Sequence, residues 1–269
     1  MCFRRLAVWR GGLLNTLEID KMKEQAIQLC ALSDTHGFDF DIPPCDIFCH
    51  CGDWSPLAYE NDYRAMYRWL EQFIEYLYSL PCKYVVIIAG NHDAIMTSEL
   101  SKNIFDQIQE NHGLIYEGID HQGIRKVDKK IHYIQESSVS VMGLNIWGSP
   151  LTQQVNRYHQ RWAFESNRPH FDIPEGTDII LTHQAPAWKG MGNVRWEEDR
   201  AFSEPLGSEA LTESIERTRA RYHFCGHIHT GNHAVSTYRN GCTLGVNVSL
   251  LDDGYEVAYR PFVCKIDKN

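Results

Sequence analysis

Aspartate, asparagine and histidine recur in this sequence directly after short hydrophobic runs. The segments concerned are SDTHG (33–37), CGDWS (51–55), AGNHDA (89–94), LTHQAP (181–186) and CGHIHTG (225–231). They contain seven candidate metal ligands, which are Asp34, His36, Asp53, Asn91, His183, His227 and His229. Oxygen and imidazole ligands without thiolate suit ions such as Mn, Fe, Zn, Ni or Co. The set is too large for one tetrahedral ion and indicates two ions that share a carboxylate, as in phosphoryl-transfer sites.

Two of the ligand pairs have a spacing of two residues, Asp34 with His36 and His227 with His229. In extended backbone, side chains two positions apart point to the same side, so we expect each pair to reach one metal cluster. A single Asp-X-His or Gly-His-X-His segment is more typical of a turn or a helix cap than of a metal site. The repeated position after a hydrophobic strand is what favours a metal centre.

The segments before these residues predict the elements that position them. Hydrophobic runs at 27–32, 46–51 and 84–89 are typical of strands buried on both faces of a sheet. Between the last two, residues 62–80 carry apolar side chains at helical spacing and are followed by Pro81. Ligands bind at the carboxyl ends of strands in α/β sheets, so the polar residues should converge there.

The second half of the chain predicts a β-rich and more antiparallel region. Its hydrophobic segments, with few helices between them, are 138–143, 144–149, 178–183, 222–227 and 241–250. Further helices are predicted within 98–111 and from Ser208, a good N-cap residue. Two packed sheets flanked by helices, an α/β fold, fit this order.

The length and composition are those of a globular α/β domain. Of the 269 residues, 43% are hydrophobic and 23% are charged. We expect a poorly ordered N-terminal extension over residues 1–22 and a single domain over residues 23–269.

Charge and cysteine content bound the surroundings of the protein. The net charge of −9, without a block of like charges, argues against general binding to nucleic acid or to anionic membranes. No run of about eighteen apolar residues is present, so no transmembrane helix is expected. Nine cysteines without the spacing of a disulfide framework favour free thiols and a cytoplasmic location. The oligomeric state is left open.

The ordered segments DTH, GD, GNHD, TH and GHIH resemble those of the calcineurin-like metallophosphoesterase superfamily. The resemblance extends over about residues 27–260. Within it, HCGDWS, IIAGNHD, IWGSPLT and FCGHIHTG are similar to the branch of metallophosphoesterase-domain-containing proteins described as cyclic-nucleotide phosphodiesterases. The resemblance implies a four-layer α/β/β/α sandwich, in which helices flank two mixed β-sheets.

Carried over position by position, the resemblance also implies two metal sites. One ion would be bound by Asp34, His36, Asp53 and His229. The other would be bound by Asp53, Asn91, His183 and His227, with Asp53 bridging the two. The implied catalytic residues are Asp53, Asn91 and His92, with a metal-bridging hydroxide as nucleophile and His92 as general acid.

The chain departs from the protein-phosphatase form of this superfamily in one place that matters. That form has a further aspartate three residues after the bridging one, and it helps to orient the catalytic histidine. Pro56 occupies the position here, so His92 would be oriented by Asp93 or by a backbone carbonyl. Some members of the nearer branch lose the first histidine of the Gly-His-X-His segment, whereas this chain keeps His227.

The resemblance implies hydrolysis of phosphodiester bonds, with small or cyclic nucleotides as the expected substrates. Two divalent or trivalent metal ions are the expected cofactors, with Mn favoured and Fe, Zn, Ni or Co as alternatives. The alternative activity is phosphomonoester or phosphoprotein hydrolysis. An interaction scaffold without catalysis is the alternative from another class, although such proteins usually lose metal ligands.

Two arginine- and tryptophan-containing segments are candidates for substrate contact. Arg157, Arg161 and Trp162 lie in the segment 154–169, and Arg195 follows the His183 strand. Arginine would contact phosphate and tryptophan would stack on a base. A solvated loop with one buried tryptophan explains the first segment equally well.

Cys49, His50 and Cys51 are consecutive and offer a competing hypothesis, a structural zinc site. In an extended strand, however, the two cysteines face one side and the histidine faces the other, so the three cannot close on one ion. The strand is instead expected to deliver Asp53 past a tight turn at Gly52.

Overall fold

The computed structural model of the protein describes residues 26–60, 62–97, 103, 106–107, 130–154, 162–195, 203–231 and 233–267. The predicted N-terminal extension and most of the helix predicted within 98–111 lie outside these residues. The first strands in chain order are β1 (Ala26–Leu32), β2 (Cys45–Cys51), β3 (Cys82–Ile88), β4 (Lys130–Tyr133), β5 (Ser137–Val141), β6 (Leu144–Ser149), β7 (Thr152–Gln153) and β8 (Glu165–Ser166). The later strands are β9 (Ile179–Thr182), β10 (Asn193–Arg195), β11 (Ser203–Pro205), β12 (Tyr222–Cys225), β13 (Val235–Thr237), β14 (Leu244–Asn247) and β15 (Phe262–Asp267).

The first sheet has the order β15-β1-β2-β3-β4. Its inner pairs are parallel, and the edge strand β15 is antiparallel to β1. Helix α1 (Tyr63–Ser79) connects β2 to β3, as the sequence predicts. The helix begins at Asp62, whose carboxylate accepts hydrogen bonds from the backbone N–H groups of Arg64 and Ala65, and this N-cap satisfies two otherwise unpaired donors.

The second sheet has the order β13-β14-β12-β9-β6-β5 and corrects one sequence-based expectation. Its four central strands are parallel to one another, and only the edge pairs β13–β14 and β5–β6 are antiparallel. Short connections and few helices therefore did not produce an antiparallel region. Helix α2 (Glu209–Arg217) follows β11, and Ser208 caps it by accepting a hydrogen bond from Leu211 N–H, as predicted.

The two sheets pack face to face and each carries a helix on its outer face, which confirms the α/β/β/α arrangement. The core between the sheets contains Leu29 and Ile47 from the first sheet, and Ile146 and Phe224 from the second. Helix α1 packs on the outer face of the first sheet through side chains such as Leu70. Helix α2 packs on the outer face of the second through Leu211, Ile215 and their neighbours.

Strand β2 separates its alternating side chains as expected. Cys49 and Cys51 lie in the core between the sheets, whereas the His50 ring faces the helix side, where it contacts Phe73. The Nε2 atom of His50 lies 3.1 Å from the Thr35 hydroxyl. The three side chains therefore do not form a common metal site. Seven described cysteines are free thiols, and Cys242 is an exception because it is disulfide-bonded.

Candidate metal centre

Five strand ends from both sheets deliver the predicted ligands to one place. In the first sheet, Asp34 and His36 follow β1, Asp53 follows β2, and Asn91 follows β3. In the second sheet, His183 follows β9, and His227 and His229 follow β12. The sheets are joined beside the site by a bridge between Ser33 and Ser249. The structure therefore brings together all seven side chains that the sequence singled out.

The first ligand group consists of Asp34, His36 and His229, whose ligand atoms lie within 4.8 Å of one another. His229 Nε2 is 3.4 Å from Asp34 Oδ1. The opposite nitrogen of that ring, Nδ1, donates to the carbonyl of Asp252 at 2.9 Å, which leaves Nε2 facing the group. Ser249 donates its hydroxyl to Asp34 Oδ2 at 2.8 Å. Such outer hydrogen bonds orient the ligands of a metal site.

The second ligand group consists of Asp53, His183 and His227, again with ligand atoms within 4.8 Å of one another. His183 Nε2 lies 3.1 Å from Asp53 Oδ2 and 3.0 Å from Asn91 Oδ1. Its Nδ1 donates to the carbonyl of Cys51 at 2.9 Å and fixes the ring. Asn91 thus joins this group through its amide oxygen.

Asp53 connects the two groups. Its Oδ2 atom lies 3.1 Å from His183 Nε2 in the second group and 3.9 Å from His36 Nε2 in the first. Its Oδ1 atom accepts a hydrogen bond from the backbone N–H of His92 at 2.8 Å. One carboxylate oxygen therefore faces ligands of both groups, which is the position a bridging ligand requires.

His36 provides the test of whether the residues fit a metal ion. Its side chain is buried, and among the described residues neither of its ring nitrogens has a hydrogen-bond partner. A buried polar group left unpaired costs about 1–3 kcal/mol, so an orphaned imidazole at the centre of a carboxylate cluster is a poor structural feature and a good metal ligand. The surrounding donors are oxygen and imidazole nitrogen, which fits Mn, Fe, Zn, Ni or Co.

The pKa values of the site reflect two opposing effects. Burial lowers the pKa of His36 to about 4 and that of His227 to about 3. Burial is also the largest single effect on His183, but the charge and hydrogen bond of Asp53, the charge of Asp34 and the hydrogen bond to Cys51 together outweigh it and raise the pKa of His183 to about 9. For Asp53, burial opposes ionisation, yet the neighbouring histidines hold the pKa of its carboxyl well below the usual range. The carboxylates of Asp34 and Asp53 are thus ionised, and their negative charges favour a cation between them.

Several ligands occupy a strained backbone conformation. The φ angles of Asp34, His36, Asp53 and His227 are +57°, +43°, +54° and +67°. Residues other than glycine uncommonly adopt this left-handed region, in which Asp and His are enriched, and such residues cluster at functional sites. The expectation of extended ligand pairs is therefore wrong. Asp34 and His36 still meet in one group, whereas His227 and His229 lie in different groups, which is the division that the resemblance implies.

Glycines permit the close packing of these turns. A side chain at Gly90 would overlap the Asp53 carboxylate, and one at Gly226 would overlap Asp34 and Ser33. Glycine is needed at both positions because the ligand carboxylates approach the backbone directly.

Asp93, predicted to orient His92, has a different role. Its carboxylate accepts hydrogen bonds from the backbone N–H groups of Asp53 (2.8 Å), Ser55 (2.9 Å) and Gly90 (2.7 Å). It therefore fixes the turn that carries the bridging ligand. His92 Nδ1 instead contacts the carboxylate of Glu60. Asp93 does not orient His92 because both of its carboxylate oxygens accept backbone hydrogen bonds within the turn.

Side chains of both ligand groups line a cleft with a volume of about 330 Å³. Trp162 lies in its wall, with its ring centroid 4.5 Å from that of His92. The backbone next to Trp162 is held by a hydrogen bond from Ala163 N–H to the Asn91 carbonyl at 3.0 Å. Of the other substrate-binding candidates, Arg157 and Arg161 lie outside the described residues, and Arg195 is described only as a position in β10.

Six further residues line the cleft, and no pattern in the sequence singled them out. These are Gln153, Glu165, Leu206, Ile228, Asp253 and Tyr255. Tyr255 packs edge-on against His36 and His229, with centroid distances of 5.1 Å to each. It reaches them from a turn near the end of the chain, where the sequence carries only a turn signal, DDGY.

Comparison with known proteins decides the family. Residues 27–231 match the calcineurin-like phosphoesterases. The chain belongs to this family. Members are dinuclear metal-dependent enzymes, so the protein is a metal-dependent phosphoester hydrolase, and the two ligand groups joined by Asp53 fit its pair of ions.

Relatives of this phosphoesterase occur in animals. Human metallophosphoesterase domain-containing protein 1 is 27% identical over 243 residues, which cover 86% of this chain and 68% of the relative. The Caenorhabditis elegans UPF0046 protein K07C11.7 is 25% identical over 257 residues, which cover 90% of this chain and 76% of the relative.

A solved crystal structure supports the fold of this phosphoesterase. It aligns with a TM-score of 0.53 at 15% identity and covers 82% of this chain and 90% of the matched chain. In the described part of this phosphoesterase, no helix is both long enough and apolar enough to cross a membrane.

Proposed function

We propose that this phosphoesterase hydrolyses phosphodiester bonds of small nucleotides, including cyclic nucleotides. The observation that carries the proposal is the bridging position of Asp53, between two ligand groups and 3.9 Å from His92 Nε2. A nucleophile and a proton donor can thus act on the same phosphorus from different sides. The proposal further takes Asp34, His36, Asp53 and His229 as one ligand set, and Asp53, Asn91, His183 and His227 as the other.

The shape of the cleft supports a small organic phosphoester as substrate. Its volume of about 330 Å³ is at the lower end of the range typical of small-molecule sites. Trp162 borders the cleft beside His92 and offers an aromatic face on which a nucleobase can stack. The net charge of −9 supports a small substrate over a long nucleic acid.

The reaction uses the residues of the chain in three ways. When bound, the two ions supply charge neutralisation for the phosphate and acidify a water molecule for attack. The seven ligands would hold the two ions, and the ions would bind the substrate phosphate beside Asn91 and His92 at the base of the cleft. His92 gives its Nε2 proton to the leaving oxygen as the bond between that oxygen and phosphorus breaks. Solvent takes the proton lost by water and returns one to His92.

A panel of substrates tests this proposal. The protein is loaded separately with Mn, Fe, Zn, Ni or Co, with Mn expected to be most active. It is then assayed with bis-p-nitrophenyl phosphate, p-nitrophenyl phosphate, and 2′,3′- and 3′,5′-cyclic nucleotides. Faster turnover of the diesters supports the proposal. Faster turnover of the monoester supports the alternative of a phosphomonoesterase or protein phosphatase, and inactivity with every metal supports an interaction scaffold.

The His92→Asn variant tests the proton donor within the same proposal. Loss of general acid catalysis should lower kcat by about 10²–10⁴-fold. Because His92 does not belong to either ligand group, the metal content should stay unchanged. Full activity of this variant would remove His92 from the mechanism.

We also propose a cytoplasmic location. Seven free thiols support a reducing compartment, although the disulfide at Cys242 does not. Cell fractionation with an antibody against the protein would test it, and recovery in a secretory compartment would contradict it.

A further inference from the structure

Glu60 is the partner of His92 on the side of the ring that faces away from the metal groups. A carboxylate oxygen of Glu60 contacts His92 Nδ1. The other ring nitrogen, Nε2, points the opposite way and lies 3.9 Å from Asp53 Oδ2. The side chains are only 11% and 18% exposed, so water competes little for this contact.

The segment that carries Glu60 is fixed at both ends. At its start, Ser55 N–H donates to Asp93 at 2.9 Å, and the Trp54 ring stacks on Phe73 of helix α1. A single 3-10 turn, Leu57–Tyr59, then leads to Glu60, whose N–H donates to the Leu57 carbonyl at 3.3 Å. The N-cap of helix α1 follows two residues later. The hydrogen bonds before Glu60 and the N-cap at Asp62 therefore restrict the backbone from which Glu60 contacts His92.

The remaining contacts of the His92 ring restrict its faces and edges. The Trp162 ring lies at 4.5 Å and is tilted by 50°. The His36 ring lies edge-on at 5.1 Å. These contacts limit where the ring can lie, but neither of them determines which nitrogen faces the metal groups. A hydrogen bond to one nitrogen does determine this, because it fixes both the tautomer and the rotation of the ring.

We propose that Glu60 is the positioning residue of His92. Its carboxylate accepts the Nδ1 hydrogen and thereby directs Nε2–H toward the substrate phosphate. In the protein-phosphatase form, the orienting aspartate stands at the position of Pro56. Glu60 lies four residues beyond that position and seven residues after Asp53. The inference rests on the proposed function of His92 as proton donor.

The dependence of the rate on the leaving group provides the kinetic test. Methyl phenyl phosphate and methyl 4-nitrophenyl phosphate have similar sizes, but phenolate is the poorer leaving group and needs the proton more. In the metal-loaded Glu60→Ala variant, kcat for the phenyl ester should fall by about 10–100-fold. The nitrophenyl ester should be affected much less, and KM should change little for both. Glu60→Gln keeps an acceptor oxygen and should restore part of the loss.

Two controls separate positioning from folding and from surface charge. Glu213→Ala removes an exposed carboxylate from helix α2 and should leave both rates unchanged. The melting temperature and the metal content of the Glu60 variants should match those of the wild type. If Glu60→Ala fails to fold, Glu60→Gln alone decides, since an equal loss on both esters or no loss on either would overturn the proposal.

A spectroscopic measurement tests the contact without catalysis. In proton–nitrogen NMR spectra of the zinc-loaded protein, His92 should show a hydrogen-bonded Nδ1–H signal, identified by its absence in His92→Asn. The signal should disappear in Glu60→Ala. A wild-type spectrum without it would overturn the role of Glu60. Inactivity of the wild type toward both esters would instead contradict the proposed function, while the NMR result would still decide the contact.

Discussion

Asp53 is the residue on which both ligand groups depend. Its carboxylate is 3% exposed. The backbone N–H of Asp53 donates to Asp93, and the preceding Gly52 has a φ of +95°, which allows the tight turn there. Histidines of both groups face the same oxygen. A change at this residue should therefore affect two ions, whereas a change at a ligand of one group should affect mainly one.

The Asp53→Asn variant tests this dependence. An amide lacks the negative charge that two cations share, so we expect loss of metal from both groups and affinity at least about 100-fold weaker. Elemental analysis after gel filtration measures the metal content, and hydrolysis should be lost with it. The matched control is Asp172→Asn, whose carboxylate is 87% exposed and pairs with His170. Full metal content in Asp53→Asn would contradict the bridging position.

The cysteines next to Asp53 should have no part in metal binding. Cys49 and Cys51 lie between the sheets, and burial raises the pKa of both thiols well above the usual range, so they stay protonated. We predict unchanged metal content in Cys49→Ser and Cys51→Ser, measured by the same elemental analysis. Loss of one equivalent of zinc would revive the Cys-His-Cys hypothesis.

At the scale of elements, strand β12 carries a buried polar network on the helix side of the second sheet. The Thr182 hydroxyl donates to the Gln184 carbonyl at 2.7 Å, so it accepts from His223 Nε2 at 2.8 Å. His223 Nδ1 then accepts the hydroxyl hydrogen of Tyr238 at 2.8 Å. The neutral form of the histidine satisfies every partner, and burial lowers its pKa to about 3.

This network predicts acid sensitivity of the fold. Between pH 6.5, the ordinary pKa of histidine, and pH 3, the unfolded chain binds a proton at His223 that the folded chain does not. Stability should therefore fall as the pH falls through this window, by up to about 1.4 kcal/mol per pH unit from this residue. The free energy of unfolding, measured with urea at several pH values between 7 and 4, should fall less steeply with falling pH in His223→Gln than in the wild type. The control is His170→Gln, a change at an exposed histidine, which should leave the pH dependence of the wild type unaltered. If His223→Gln had the same pH dependence of stability as the wild type, the neutral network would be contradicted.

At the scale of the whole molecule, the metal site is a junction between the two sheets. Asp34, His36 and Asp53 come from the first sheet, and His183 and His229 come from the second. Each ligand group combines residues of both sheets. Bound ions should therefore connect the layers, in addition to their role in chemistry.

Removal of the metals should lower the stability of the whole domain. An ion that binds only the folded state at about 100 times its Kd adds about 2.7 kcal/mol, which corresponds to roughly 5–10 °C in Tm for a domain of this size. Differential scanning fluorimetry with and without chelator measures the shift. Asp53→Asn is the control and should show little response to chelator. Equal Tm values for loaded and stripped wild type would contradict a junction role.

The sequence by itself determined the elements and the chemical identity of the site. Periodicity predicted β1, β2, β3 and helix α1 to within a few residues, because strands and helices impose their repeat on nearby positions. The ligands were recognisable because Asp, Asn and His each followed a hydrophobic strand, and the carboxyl ends of the parallel strands meet.

Only the tertiary structure decided how these parts face one another. The parallel centre of the second sheet, the left-handed backbone of the ligand turns, and the contact of Glu60 with His92 were not predicted. Each of these features depends either on contacts between segments that are distant in the chain or on a left-handed turn. The local periodicity of hydrophobic residues indicates neither such contacts nor such turns. Glu60 is 32 residues from His92, so no pattern of neighbouring residues could have paired them.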